Sequence, residues 1–441
     1  MFSSSALNPG VRRREVFGWA LYDFANSGYT TVVLTAVYAA YFVGGIAQGA
    51  DWATFAWTVA LSISYAIVML TMPGIGARAD RLACKKRYML FATIGCVLCT
   101  AALALPNPGD VWLAALLIIA SNVFFSYGES LSAAFLPELA KGESMGKVSG
   151  WGWSFGYFGG MLALGLSLAY VLQSQGAKLP ASHFVPVTML LTAVIFAVAA
   201  TGTFALLRER AQPQMGATPV SGLLASLQAL RTTLAQTINF PDFRRLLVCA
   251  VFYQGGVAVA ITLAAIYAES VIKFEKQETM ALIFVLNLAA AAGAFVWGYF
   301  QDRIGHKLAL SVTLVGWIIT CVLAASASTK GMFWVAAGIA GVCMGSSQSA
   351  GRAMAGMMSP AARVAEFYGL WTFATRLASI LGPLTYGAIT WATGGNQRLA
   401  ILSTTLLFVL GLLVLRGVDV SRGRALAVSL DATSNKGNQS A

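Results

Sequence analysis

The sequence predicts an all-α integral membrane protein whose twelve transmembrane helices form two pseudo-symmetric six-helix bundles. Three observations predict this fold. The chain has 441 residues, of which 58% are hydrophobic and only 10% are charged, whereas about a quarter of the residues of soluble domains are charged. Its apolar runs approach the ~20 residues that a membrane-spanning helix needs. One motif also occurs twice, 222 positions apart, which indicates a duplicated unit.

The apolar runs define the twelve predicted spans. They cover residues 16–43, 53–75, 88–105, 111–138, 147–172, 184–207, 245–271, 279–300, 308–327, 332–358, 364–392 and 399–416. We call residues 16–207 the first repeat and residues 245–416 the second repeat. Residues 1–15 form an N-terminal segment, and residues 208–244 link the two predicted bundles.

Lys and Arg residues predict the orientation, because cytoplasmic loops of membrane proteins carry an excess of both. If the N-terminus is cytoplasmic, the segments on that side hold 22 of them and the opposite side holds five. The remaining two, Arg352 and Arg376, lie inside spans. We therefore expect both termini in the cytoplasm and the chain in the cell (inner) membrane. The net charge of +12 is then a topology signal, and we expect no nucleic-acid partner.

The linker and the C-terminal tail differ in pattern. Apolar residues at helical spacing predict an amphipathic linker helix with Ser221 as a candidate N-cap and Pro241 as a stop signal. They are Leu223, Leu224, Leu227, Leu230, Leu234 and Ile238. This helix lies either on the inner membrane surface or under the bundle as a mechanical tie. Residues 417–441 are predicted to be a cytoplasmic, disordered tail.

A short motif marks the same place in both repeats. The loop after the second span reads GARADRLACKKR, and the loop after the eighth reads GYFQDRIGHK. We call residues 76–87 and 298–307 the first and second GxxxDR loops. Their motif residues are Gly76, Asp80 and Arg81 in the first copy and Gly298, Asp302 and Arg303 in the second. Pro137 and Pro360, at the ends of spans four and ten, are 223 apart, so two independent markers give nearly the same offset.

This pair of loops resembles the signature of the major facilitator superfamily. The resemblance implies that each loop is a cytoplasmic gate. Its Gly permits close approach of two helices, and its Asp sits near the N-terminus of a neighbouring helix, where the helix dipole favours a negative charge. The first copy departs from the family pattern, because Ala83 or Cys84 stands where the family usually has Gly.

Longer segments narrow the resemblance to one subfamily. They are WALYDFANS from Trp19, FLPEL from Phe135, VSGWGWSFGYFGG from Val148, AAIY from Ala264 and AEFYGL from Ala365. Together they are similar to the fungal vacuole effluxers linked to autophagy and to their bacterial permease relatives. This resemblance implies solute transport, with amino acids as the substrate class. The Arg-containing motif that marks proton antiporters on helix four is absent, and SNVFFSYGE from Ser121 stands there instead.

The resemblance also implies that helices 1, 4, 7 and 10 line a central cavity, and polar residues cluster on those spans. We predict that Asp23, Glu129 and Arg352 serve as coupling or inner-gate residues, because a buried charge needs a partner or a wet cavity. Predicted substrate-binding residues are Asn26, Thr30, Asn122, Ser126, Tyr253, Gln254, Gln348 and Arg376. Trp151, Trp153 and Tyr157 are either a wall of this cavity or interfacial anchors.

Depth along the helices suggests how the charges pair. At about 1.5 Å per residue, Asp23, Glu129 and Arg352 lie at one level near the cytoplasmic face, and Arg376 lies nearer the midplane. Arg352 is expected to pair with Glu129 or with Asp23 when the inner side is closed. Asp23 is otherwise a structural partner that ties the first span to its neighbour. Arg376 either holds an anionic solute group or neutralises an acid.

These residues predict a secondary transporter for a small polar solute, zwitterionic or anionic, with amino acids or peptides as candidates and proton coupling through Asp23 or Glu129. No GxxxxGK[ST] motif, metal-ligand cluster or nucleophile constellation is visible in the sequence. We therefore predict no enzyme activity, no metal and no cofactor. The expected partners are the solute and membrane lipids, with the chain acting as a monomer. Two alternatives stay open: a flippase for lipids or lipid-linked precursors, and a membrane receptor that does not transport.

Overall fold

The computed structural model describes residues 3–213, 231–232, 235 and 237–439, and it is helical throughout. The long helices are α1 (Arg13–Tyr29), α2 (Ala53–Arg81), α3 (Lys85–Ala102), α4 (Val111–Ala133), α5 (Met145–Gly176), α6 (Ala181–Leu206), α7 (Pro241–Ser270), α8 (Lys276–Ile304), α9 (His306–Ser326), α10 (Lys330–Met357), α11 (Val364–Ala392), α12 (Gln397–Arg416) and α13 (Val420–Gln439). Within these described ranges no β-strand occurs, and Leu7 and Ala140 form one isolated antiparallel bridge.

Helix length and composition suit a membrane. Among the residues that the structure describes, nine helical segments are long and apolar enough to cross one. The long helices of the two repeats outside that set are α3, α10 and α11, which overlap predicted spans at 88–105, 332–358 and 364–392. In α10 and α11, the lower apolarity is explained in part by Arg352 and Arg376, since each places a charge inside a long helix.

Large apolar side chains lie on the outside and polar ones on the inside. Trp112 is 85% exposed and Phe55 is 72% exposed, whereas Asn122 and Ser126 of α4 are fully buried. Soluble proteins show the opposite arrangement, because water solvates polar groups and excludes apolar ones. A lipid environment reverses this preference, since polar groups are costly in hydrocarbon and turn toward the protein interior.

The first predicted span is not a uniform α-helix. After Tyr29, α1 continues as a π-helix at Thr30–Ala36, an α-helical turn at Tyr38–Tyr41 and a second π-helix at Phe42–Ile46. A π-helix bonds each N–H five residues back, so it widens the helix, and it occurs often at functional sites. Its start at Thr30 lies directly after the polar stretch that contains Asp23 and Asn26.

The tail differs from the prediction of a disordered segment from residue 417. Residues Val420–Gln439 form α13, and its first turn is tied to α7 because Arg422 donates to the Asp242 carboxylate through two nitrogens, both at 2.7 Å. Ala427 of α13 is buried. These contacts supply the burial and hydrogen bonds that a polar sequence lacks by itself. The predicted linker helix between Ser221 and Pro241 lies largely outside the described residues.

The two repeats meet closely along α2 with α11 and along α5 with α8. The motif glycines permit both approaches. A Cβ atom added at Gly76 would lie 2.6 Å from the carbonyl carbon of Ala365, and one added at Gly298 would lie 2.8 Å from the carbonyl oxygen of Gly146. Both distances are shorter than real Cβ contacts, so a side chain there would push two backbones apart.

Candidate functional site

Asp23 and Arg352 form a buried ion pair between α1 and α10. Nη1 of Arg352 donates to Oδ2 of Asp23 at 2.7 Å, and the two residues are only 8% and 6% exposed. Two other nitrogens of Arg352 donate to Ser149 of α5, to its hydroxyl at 3.1 Å and to its carbonyl at 2.8 Å. The guanidinium therefore joins α10 of the second repeat to two helices of the first.

Two tryptophan rings enclose this guanidinium. Its central carbon lies 4.7 Å from the ring centroid of Trp19 and 5.2 Å from that of Trp153. Trp19 is held in place because its indole N–H donates to the Ser132 carbonyl at 2.8 Å. Gly152 leaves room for the pair, since a Cβ atom there would lie 2.7 Å from Nη2 of Arg352. A cation held between aromatic faces is attracted by their quadrupoles.

Glu129 and Arg376 form a second ion pair, between α4 and α11. Nη2 of Arg376 donates to Oε2 of Glu129. The guanidinium lies 5.5 Å from the ring centroid of Tyr65 on α2 and 5.9 Å from that of Phe125 on α4. The Glu129 side chain is 38% exposed, against 11% for that of Asp23. This second pair is therefore the more accessible of the two.

The structure selects between the partners that the sequence left open. Arg352 bonds Asp23, and Glu129 bonds Arg376. The expectation that Arg376 lies at a different depth from Glu129 is wrong for the charged groups themselves. An arginine carries its charge at the end of a long flexible stem, so counting residues along a helix does not locate the guanidinium. Of the two roles open for Arg376, neutralising an acid matches this geometry.

The repeat offset relates the two sites. Arg352 stands 223 positions after Glu129, and Arg376 stands 223 positions after Trp153. Glu129 contacts Arg376 across α4 and α11, and Arg352 contacts Trp153 across α10 and α5. Equivalent positions thus meet in both places, once as an ion pair and once as a cation over an aromatic ring.

The aspartates of the GxxxDR loops contact helix N-termini in the opposite repeat. Asp80 accepts the backbone N–H groups of Ala365 and Glu366 at 3.1 and 2.9 Å, in the first turn of α11. Carboxylates are stabilised there, because the first N–H groups of a helix have no partner within the helix and the dipole is positive.

The second loop repeats this contact with the repeats exchanged. Asp302 accepts the backbone N–H groups of Gly146 and Lys147 at 2.9 and 3.0 Å, in the first turn of α5. The motif arginines Arg81 and Arg303 lie at the ends of the helices that carry the two aspartates. Each repeat therefore supplies one aspartate and one helix N-terminus, and the side that holds both loops is joined at two points.

Several residues at or near the two ion pairs carry buried polar atoms that have no hydrogen-bond partner among the described residues. They are both side-chain amide atoms of Asn26, Oδ1 of Asn122, Oγ of Ser126, Nε1 of Trp153 and Nε of Arg376. Buried polar groups in proteins are normally hydrogen-bonded. These atoms are therefore candidates to contact a bound polar solute.

The register of α1 against α4 places three of these residues together. Tyr29 shares a hydrogen bond of 2.8 Å with Ser121, and its ring stacks on Phe125 at 4.8 Å. Seven residues earlier, the Tyr22 ring fills the space where Gly128 lacks a side chain. Asn26 lies midway between the two tyrosines along α1. It is therefore at the level of Asn122 and Ser126, whose Oδ1 and Oγ atoms also lack a hydrogen-bond partner among the described residues.

Other predicted substrate contacts are satisfied within the protein. The amide nitrogen of Gln254 donates to the Gln348 carbonyl oxygen at 2.9 Å and lies 3.3 Å from the hydroxyl of buried Tyr253. This contact ties α7 to α10. The Thr30 hydroxyl donates to the Ser27 carbonyl at 3.1 Å. The structure does not place these four residues at either ion pair.

Sequence reasoning assigned no role to Ser149, Tyr65 or Trp19, although each touches one of the arginines. Tyr65 lies on α2, which the expected cavity of helices 1, 4, 7 and 10 left out, and Ser149 lies on α5, where only aromatic residues were candidates. Trp153 was left between a cavity wall and an interfacial anchor, and it lies at the site. The sequence signal for Trp153 is its position, since it stands 223 residues before Arg376, at the repeat offset.

This helical membrane protein, whose two repeats are joined by motif aspartates at helix N-termini and by one buried and one partly exposed ion pair, is a transporter of the major facilitator superfamily. Within that class, the chain belongs to the family described as "Vacuole effluxer Atg22 like", whose model matches residues 41–428. It is an integral membrane protein.

Two relatives cover most of the chain. One is an uncharacterized MFS-type transporter, YxiO, of Bacillus subtilis, which is 28% identical over 405 residues that cover 90% of this chain and 93% of the relative. The other is autophagy-related protein 22 of Kluyveromyces lactis, which is 24% identical over 431 residues, covering 86% of this chain and 82% of the relative.

Solved structures support the same fold. The human organic anion transporter MFSD10 (TETRAN) aligns with a TM-score of 0.72 at 17% identity, over 91% of this chain and 99% of its own. The fucose:proton symporter FucP of E. coli aligns with a TM-score of 0.68 at 15% identity, over 92% and 98%. At this level of identity the likeness concerns the fold alone.

Proposed function

We propose that this protein is a secondary active transporter that moves a small polar organic solute, zwitterionic or anionic, by alternating access. Amino acids and short peptides are the proposed solutes. Helices α1–α12 are the proposed twelve spans in two six-helix bundles. The observation that carries the proposal is that Asp23–Arg352 and Glu129–Arg376 each join the first repeat to the second inside the molecule.

Alternating access requires contacts between the bundles that form in one state and break in the other. The two ion pairs and the two aspartate contacts at helix N-termini supply four such contacts. All four use charged groups, which water solvates when the contact opens. Opening on the side of the GxxxDR loops would break the contacts of Asp80 and Asp302 first, because they lie at the helix ends.

The pair Glu129–Arg376 suits a solute that carries both charges. A guanidinium binds a carboxylate through two parallel hydrogen bonds, and a carboxylate accepts hydrogen bonds from an ammonium. Unpartnered groups on Asn26, Asn122 and Ser126 supply neutral contacts beside them. A zwitterion can therefore replace the internal ion pair without leaving a buried charge unpaired, which would be costly.

Proton coupling is part of this proposal, with Glu129 as the proton acceptor. Its side chain is 38% exposed, so water reaches it, whereas the Asp23 side chain is 11% exposed and is bonded to Arg352. We further propose that both termini lie in the cytoplasm, that the protein resides in the cell membrane, and that it acts as a monomer with lipids and the solute as its partners.

Counterflow in proteoliposomes tests the proposal. Vesicles loaded with unlabelled amino acids should accumulate the matching labelled amino acid, and Arg376→Gln should abolish this accumulation. A thermal-stability screen across amino acids, peptides, sugars and lipid headgroups identifies the solute class beforehand. Stabilisation by lipid headgroups alone, together with loss of labelled lipid from one leaflet, would favour the flippase instead. Binding without counterflow of any bound compound would favour a receptor.

A further inference from the structure

The segment that receives Asp80 is held from a second side by the C-terminal helix. Asp431 of α13 accepts the backbone N–H groups of Ala361 and Ala362 at 2.9 and 3.4 Å. Asp80 accepts those of Ala365 and Glu366, three or four residues later. We call residues 361–366 the α11 docking segment. Two carboxylates from distant parts of the chain thus bind one six-residue segment.

The C-terminal helix is itself anchored, so Asp431 is held in place. Arg422 binds the Asp242 carboxylate through two hydrogen bonds of 2.7 Å, and the backbone N–H of Asp419 donates to the same carboxylate at 2.9 Å. Gly423 packs against Met358, where a Cβ atom would lie 2.6 Å from the sulfur. From Arg422 to Asp431 the helix extends about 14 Å, which takes it from α7 to the α11 docking segment.

The segment that receives Asp302 is held by the other end of the chain. The backbone N–H of Lys141 donates to the Ala6 carbonyl at 3.0 Å. The Asn8 side chain donates to the carbonyls of Pro137 and Glu138 at 2.9 and 3.1 Å. We call residues 137–147 the α5 docking segment. Each helix N-terminus that binds a GxxxDR aspartate is therefore preceded by a segment that one chain terminus holds.

We propose that Asp431 and Asn8 are positioning residues for the inner gate: each fixes one docking segment so that its N–H groups meet the aspartate of the opposite repeat. Neither residue touches the two ion pairs or the candidate solute groups. The inference rests on the proposed function only in giving these contacts the role of a gate. The positioning itself is a property of the closed state and is measurable without solute.

The docking amides report directly on this positioning. The first N–H groups of a helix have no acceptor within the helix, so protection of Ala365 and Glu366 from hydrogen exchange depends on Asp80. Protection of Gly146 and Lys147 depends on Asp302 in the same way. The Glu366 carboxylate also binds Arg363 through two hydrogen bonds, of 2.7 and 2.8 Å, and these bonds raise the pKa of that guanidinium.

The test compares two substitutions in the full-length protein by hydrogen exchange and mass spectrometry. Asp431→Asn should speed exchange of the amides at 364–366 by about tenfold, the loss of one hydrogen bond to a charged group, and leave those at 145–147 unchanged. Asn8→Ala should speed exchange of the amides at 145–147 and leave those at 364–366 unchanged. Asp80→Asn and Asp302→Asn serve as positive controls, since each removes the negative charge and one of the two acceptor oxygens at one segment only.

We call it the crossed pattern when each variant raises exchange at its own docking segment and not at the other. This pattern separates positioning from a general loss of stability. A variant that merely destabilises the fold would raise exchange at both segments together, and that result would overturn the proposal. So would unchanged exchange at 364–366 in Asp431→Asn while Asp80→Asn raises it. If transport is never observed but the crossed pattern appears, the positioning stands and the proposed transport function fails by itself.

Discussion

Arg352 of α10 donates a hydrogen bond of 2.7 Å to Asp23 of α1, although the two residues are 329 positions apart in the chain. Both residues are buried, and the guanidinium lies over the rings of Trp19 and Trp153 and also donates to Ser149. Every route that separates α1 from α10 must break it. The pair therefore contributes directly to the free energy that holds the two repeats together at this contact.

Substitution of one partner should be more harmful than substitution of both. Arg352→Gln or Asp23→Asn leaves one buried charge without a partner, which costs about 3–5 kcal/mol, so we expect a large loss of thermal stability and no transport. The double variant Asp23→Asn with Arg352→Gln should recover most of the stability. Melting curves of the purified protein in detergent measure the difference.

A surface pair provides the control for that comparison. Lys330 and Glu278 form an ion pair at 2.6 Å, with side chains 44% and 34% exposed. Lys330→Gln should change stability far less than Arg352→Gln does, because water already solvates both charges of an exposed pair. Equal destabilisation by Arg352→Gln and Lys330→Gln would contradict the view that the interior pair joins the repeats.

Exchange of charges should be tolerated better at Glu129 and Arg376 than at Asp23 and Arg352. The pair Glu129–Arg376 is partly exposed, so a double variant Glu129→Arg with Arg376→Glu should keep measurable counterflow. At the buried pair, the double variant Asp23→Arg with Arg352→Asp would place a carboxylate against the electron-rich faces of Trp19 and Trp153, which repel it. We expect no counterflow there. Uptake rates of the two double variants, compared in one preparation, decide the matter.

The motif glycines should control how closely the repeats approach. Gly76→Ala and Gly298→Ala each introduce a Cβ within 3 Å of backbone atoms of the opposite repeat, so we expect a shift away from the closed state. Gly165→Ala is the matched control, because that helical glycine of α5 has no heavy atom within 4 Å of an added Cβ. Spin-label distances between the GxxxDR loops should lengthen in the first two variants and stay constant in the third.

Trp153 should matter as an aromatic ring that holds Arg352. Trp153→Leu removes the cation–π contact, worth up to about 2 kcal/mol when desolvated, whereas Trp153→Phe keeps much of it. We expect a clear loss of thermal stability in the leucine variant and a small one in the phenylalanine variant. If the two variants melt together, the ring is an ordinary packing residue. A specific loss of solute affinity in Trp153→Phe would instead point to its unpartnered indole N–H.

Local chemistry could be predicted from the sequence where a motif carries its own geometry. The resemblance of GxxxDR to the superfamily signature implied a close approach at the glycine and a helix N-terminus at the aspartate, and both contacts occur at Gly76, Asp80, Gly298 and Asp302. The long apolar segments and the repeat offset were likewise readable, because each depends only on composition and spacing. The partner of each interior charge could not be predicted, and the contact between the charged ends of Arg376 and Glu129 was not expected.

By itself, the sequence determined that apolar helices alternate with basic loops, that the unit is duplicated, and that charges lie inside it. Only the tertiary structure decided that Arg352 meets Asp23 rather than Glu129, that Trp19 and Trp153 enclose it, and that the chain termini hold the docking segments. The physical reason is that these contacts join residues about seventy to more than three hundred positions apart. Helix rotation and side-chain reach decide such contacts, and neither follows from spacing along one chain segment.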